Sequence, residues 1–97
     1  MKIEHDEEAS RFLAKNDEGK QLGLLEYIRA EGNEVYATHT EVRPQHEGKG
    51  IASSLVDALV EYAEKTGATI VPMCPYVLAR FRKNPEKYAN VMKHRGE

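Results

Sequence analysis

Between residues 42 and 52 the hydrophobic pattern of this chain changes period, and that change limits the folds open to it. After the break, Ile51, Leu55, Leu59 and Tyr62 recur at steps of four, four and three, with Ala52, Val56 and Ala63 beside them. Such a stripe is one face of an amphipathic helix. Lys65 places a cation in its last turn, and Gly67 stops it. Before the break the chain reads as strands parted by turn clusters. Lys2–Asp6 is a short strand, Glu7 to Ser10 a polar turn, and Phe12, Leu13 and Ala14 centre a second strand over Arg11–Lys15. Asn16-Asp17-Glu18-Gly19 is a hairpin turn. Gln21–Ala30 carries Leu22, Leu24, Leu25, Tyr27 and Ile28, apolar on both faces, which suits the middle of a sheet. Glu31-Gly32-Asn33 turns the chain into Glu34–Val42, rich in the Val, Thr and Tyr that strands favour.

Beyond Gly67, Ala68–Met73 is a β-branched run with Pro72 near its end, where a missing donor matters least. Pro75 suits the first turn of a helix through Asn84 that carries Val77, Leu78 and Phe81. Pro85 ends it, and Glu86–Lys93 reads as a short final helix. Strands, then helix, strand and helix, predict an α+β fold: an antiparallel central sheet, a β-α-β crossover and a C-terminal helix. At 97 residues, with no linker or repeat, a single domain over 1–97 is expected.

Composition narrows the function. Fourteen Lys and Arg against sixteen Asp and Glu give a net charge of -2, without the basic excess of a general nucleic-acid binder. No apolar run approaches the ~20 residues that cross a bilayer. The stretch from Met1 to Ser10 is acidic and unlike a secretory signal. Cys74 stands alone, and His5, His39, His46 and His94 lack metal-ligand spacing, so neither a disulfide nor a metal site is expected. The expectation is a cytoplasmic protein with no nucleic-acid or membrane partner, a monomer or weak homodimer.

The segment that carries chemistry is Val42-Arg43-Pro44-Gln45-His46-Glu47-Gly48-Lys49-Gly50-Ile51-Ala52, between a predicted strand and a predicted helix. The first amides of a helix have no intrahelical acceptor, and Ser, Thr, Asp or Asn usually caps them. None of those stands between Val42 and Ala52. Two glycines permit an outside group to approach the backbone, and the free amides and helix dipole favour a phosphate or pyrophosphate. Alternatively the glycines merely make a tight turn with water on the amides. The pattern is neither G-x-x-x-x-G-K-[ST] nor G-x-G-x-x-G, since Ser53 occupies the third glycine position.

The pattern Q-x-x-G-x-G does match, from Gln45 to Gly50, and it resembles the acetyl-CoA pyrophosphate loop of the GNAT superfamily of N-acetyltransferases. The resemblance implies that the helix start faces the CoA pyrophosphate, with Val42, Gln45, His46, Glu47, Gly48, Lys49, Gly50, Ile51 and Ala52 as cofactor-binding residues. It extends to small, minimal GNAT-like proteins of about this length, through Cys74-Pro75-Tyr76, Phe81, Pro85-Glu86 and Tyr88. Asn84 and Lys87 depart from that group's pattern, and full-length members are longer, with more helix near the N-terminus and further C-terminal strands that help form the acceptor pocket.

The implied reaction is acetyl transfer from acetyl-CoA to an unidentified amine, on a small molecule or a protein. A non-catalytic acyl-CoA-binding or regulatory module is the alternative. Transfer needs a polarised carbonyl, a neutral amine and a protonated leaving thiolate. Glu41 and His39, on one strand face with Val35 and Ala37, either deprotonate the amine or lie on a solvated face. Cys74, just before a helix start that favours thiolate, is either an acyl-accepting nucleophile or a wall of the pocket. Tyr76 and Tyr88 are candidates for the acid that protonates CoA. The basic stretch Arg80, Arg82, Lys83 and Lys87 either meets the CoA 3′-phosphate or is a solvated helix face.

Overall fold

The computed structural model describes residues 1–92. Five strands form one sheet in sequence order: β1 (Lys2–Asp6), β2 (Arg11–Lys15), β3 (Gln21–Ala30), β4 (Glu34–Val42) and β5 (Thr69–Pro72). The first four pair antiparallel, and β5 lies parallel to β4 after the crossover through α1 (Ile51–Thr66). Two further helices follow, α2 (Pro75–Lys83) and the four-residue α3 (Pro85–Tyr88). This is the α+β architecture that the change of period predicts.

Local chemistry sets the corners. Asn16 Oδ1 accepts from the amides of Glu18 and Lys20, both at 2.9 Å, and closes the β2–β3 turn. Gly67, with φ 70°, ends α1 in the left-handed conformation that glycine adopts at least cost. Asn33 Nδ2 donates to Thr66 O at 3.0 Å and its carbonyl accepts from Thr69, so the β3–β4 turn is tied to the end of the crossover.

The core lies on one face of the sheet. α1 buries Ile51, Leu55, Val56, Leu59, Val60 and Ala63 against Phe12, Leu25, Tyr27, Val35 and Ala37. Each large aliphatic side chain so buried contributes about 1.5–3 kcal/mol. The last helix differs from expectation: α3 stops at Tyr88, turns lead through Val91, and the predicted end at Lys93 lies outside the described residues. Fully buried Tyr88, its ring tilted against Phe81 with centroids 4.8 Å apart, anchors this segment where helical propensity does not. Lys87 pairs with Asp57 of α1 at 3.6 Å, and Asn90 donates to Glu64 at 2.6 Å.

Candidate active site

The site is made where β4 and β5 part. Their ladder ends at Ala37 opposite Pro72, and Cys74 N–H then donates to Ala37 O at 2.8 Å. At the same place β4 bulges: Tyr27 faces Ala37 while Glu26 faces His39, which leaves Thr38 as the extra residue. A bulge reverses the alternation of side chains. Val35 and Ala37 are buried, but Thr40 and Val42, rather than His39 and Glu41, continue their face. The expectation that His39 and Glu41 share a face with Val35 and Ala37 is therefore corrected. His39 and Glu41 project from the opposite face, 53% and 66% exposed, with Nε2 and Oε2 3.4 Å apart.

Beyond β4 the chain makes a single 3-10 turn, Pro44–His46, and then two residues of positive φ, Gly48 at 80° and Gly50 at 77°. Gly50 is the N-cap of α1 and offers no side chain to its amides. Ser54 N–H to Gly50 O, 3.0 Å, opens the helical ladder, so the amides of Ile51, Ala52 and Ser53 lie ahead of it. A Cβ on Gly48 or Gly50 would meet nothing within 4 Å. Glycine is needed there for conformation, and the space beside the backbone is open to a ligand.

A cavity of about 510 Å³ lies against these amides. Of the predicted cofactor residues, Val42, His46, Glu47, Gly48, Gly50, Ile51 and Ala52 line it. Gln45 and Lys49 are exposed and stand outside its wall. His46 Nε2 is buried without a hydrogen-bond partner among the described residues. Glu41 and Tyr76 line the same cavity, so the predicted base and acid meet at one space. Tyr88 is fully buried beside Phe81, away from that wall, and its hydroxyl accepts from Arg80 at 3.1 Å. Arg80 thus turns inward and Lys87 pairs with Asp57, while Arg82 and Lys83 are exposed.

Cys74 is 5% exposed and lies one layer behind the wall. Its thiol donates to Thr40 Oγ1 at 3.4 Å. Burial pushes the thiol pKa up, but the hydrogen bonds with Thr40 and with the Val77 and Tyr76 amides at the start of α2 outweigh burial, and the net shift is downward. Among the described residues no group of three His, Cys, Asp or Glu is placed to hold a metal ion.

Three features lay outside the sequence reading: the bulge at Thr38, the Thr40 partner of Cys74, and Gly23. A Cβ on Gly23 would lie 2.8 Å from Glu41 O and 3.2 Å from Ile51 Cγ2. Gly23 lets β3 close on the end of β4 and the start of α1. A lone glycine within a strand was the available signal.

Comparison with known proteins gives the family. A model described as GCN5-related N-acetyl-transferase matches residues 11–91, and the chain belongs to that family. The solution structure of a GCN5-like protein from Staphylococcus aureus is 25% identical with a TM-score of 0.73, covering 99% of this chain and 94% of that one. The GNAT-family N-acetyltransferase YhbS from Escherichia coli, solved in complex with CoA, shares the fold at 23% identity and a TM-score of 0.63. Nourseothricin acetyltransferase shares it at 24% and 0.58. These two matches cover 73% and 75% of this chain, which spans 43% and 46% of their respective lengths. No curated protein matches the chain. No helix among the described residues is long and apolar enough to cross a membrane.

Proposed function

We propose that this chain is an acetyl-CoA-dependent N-acetyltransferase whose acceptor is an amine. The observation that carries the reading is the convergence on one cavity of the uncapped α1 amides, Glu41 and Tyr76. Acetyl-CoA supplies the acyl group as a thioester. The amides of Ile51, Ala52 and Ser53, with Gly48 and Gly50 leaving the approach open, suit its pyrophosphate. Past Ala37 the β5 side of β4 has no ladder partner, so the backbone of Val42 on that side is available to the pantetheine arm and the acyl carbonyl, while the Arg43 amide donates to Leu22 O at 3.2 Å.

Glu41, with His39 at 3.4 Å, takes the proton from the attacking amine directly or through water. The amine nitrogen bonds to the carbonyl carbon, the carbon–sulfur bond breaks, and Tyr76 gives its proton to the departing thiolate. Cys74, behind Thr40, packs the wall and does not carry the acetyl group.

An amine screen that follows CoA release tests this reading. Transfer to at least one amine class, lost in Glu41→Gln and Tyr76→Phe with acetyl-CoA binding retained, is the expected result. Acetyl-CoA binding with no turnover on any amine would contradict it.

A further inference from the structure

The two faces of the sheet differ in what covers them. Cross-strand pairing puts Phe12, Leu25 and Thr40 on the face of the core, and Leu13, Leu24 and Glu41 on the other. On that second face Ile28, Tyr36 and Val71 form a row across β3, β4 and β5. Leu24, Ile28, Tyr36 and Val71 stand outside the core cluster and outside the residues packed against it, whereas Leu13 on that face is buried. Ile28 is 56% exposed and Met73, which follows β5 and precedes Cys74, is 60% exposed. Between the two apolar groups Glu26 faces His39 across the strands. Neither Glu26 nor Glu41 forms an ion pair with a Lys or Arg among the described residues; Arg11, opposite Glu26 in the β2–β3 register, pairs with Asp6 at 3.6 Å.

We propose that this open face docks the acceptor, and that the acceptor is a lysine-bearing polypeptide segment with apolar residues beside the lysine. The inference rests on reading the cleft as a transferase site. Charge complementarity selects a cation, because Glu26 and Glu41 stand at the bulge where β4 enters the cleft. The row from Ile28 to Val71, with Met73 beyond it, leads to the same place. A small amine engages the carboxylates and leaves that row wet. A polypeptide laid across the strands covers the row and delivers its lysine to Glu41.

The test uses the full chain saturated with acetyl-CoA and three probes: a dye-labelled decapeptide with one lysine between leucines, the same peptide with serines for leucines, and spermidine. Fluorescence anisotropy reads docking, and CoA release reads transfer. The leucine peptide should bind and react roughly tenfold better than the serine peptide. Ile28→Ser combined with Met73→Ser should remove most of that advantage through KM, and leave spermidine turnover, acetyl-CoA affinity and melting temperature unchanged. Rescue by Ile28→Val combined with Met73→Leu should restore it. Equal use of both peptides, or an advantage untouched by the double substitution, would overturn the proposal. Docking of the leucine peptide without CoA release would support the surface while contradicting the transferase reading.

Discussion

The amide of Cys74 donates to the carbonyl of Ala37 at 2.8 Å, and past this bond the β4–β5 ladder ends. One residue later β4 bulges at Thr38, so Thr40 turns to the inner face and meets the Cys74 thiol at 3.4 Å. The pair closes the inner end of the cleft. A sulfur held there beside a hydroxyl and two helix-start amides, 5% exposed, is a packed wall and not an exposed nucleophile.

Cys74→Ala is therefore expected to keep transfer within about threefold of the parent while costing about 1 kcal/mol of stability for the small volume lost. Steady-state CoA release and urea unfolding measure the two effects. Intact-protein mass spectrometry after incubation with acetyl-CoA should show no acetyl group on Cys74. A drop in rate of about 100-fold or more with acetyl-CoA binding intact would show instead that the thiol carries the acyl group.

Gly23 and Gly48 should respond differently to alanine. At Gly23 the new methyl would sit 2.8 Å from the backbone oxygen of Glu41, which cannot move without opening the end of β4. Gly23→Ala is expected to cost about 2 kcal/mol or more through overpacking. At Gly48, with φ 80° and nothing within 4 Å, the cost is conformational and should be about 1 kcal/mol. Urea denaturation of both variants checks the order. A Gly23→Ala variant as stable as Gly48→Ala would show that the β3–β4 closure is slack.

The period change after Val42, the glycines of the loop and the stop at Gly67 made the antiparallel meander, the crossover and the glycine-rich helix start legible from residues alone, because each is a local signal. The bulge at Thr38 was not legible. It arises from how β4 must leave β5 while staying paired to β3, and no residue type marks it. That is why Glu41 could be named while its face was misjudged. The end of α3 failed for a related reason. Tyr88 is fixed by burial against Phe81 and by Arg80, contacts made across the fold rather than along the helix.

His5 and Tyr27 should set opposite limbs of the stability profile. Their Nε2 and hydroxyl stand 2.5 Å apart, and the His5 ring stacks on Phe12 with centroids 4.1 Å apart and meets Tyr62 edge-on. Burial holds His5 below its ordinary value of 6.5, against the pull of Glu7 and Asp6. The neutral ring is favoured in the fold, so its contribution is whole above pH 6.5 and is lost as pH falls through the depressed folded value. Burial and then Tyr62 push Tyr27 up from 10.0 to about 12, so its contribution is whole below pH 10 and fades toward pH 12. Urea midpoints across pH should show the acid limb flattened in His5→Gln and the alkaline limb flattened in Tyr27→Phe. Unchanged limbs would mean that the ring cluster does not sense the solvent protons.

The central claim is that a CoA thioester seats its pyrophosphate on the bare start of α1. Isothermal titration calorimetry of the full chain with acetyl-CoA, run beside Gly48→Glu, tests it most directly. The parent should bind one equivalent, and at ~100 times the dissociation constant the ligand should add ~2.7 kcal/mol to stability, with adenosine alone giving no comparable gain. Gly48→Glu places a carboxylate beside the amides and should weaken binding by at least about tenfold with the fold retained. Equal affinity in parent and variant, or no binding by the parent, would contradict the claim.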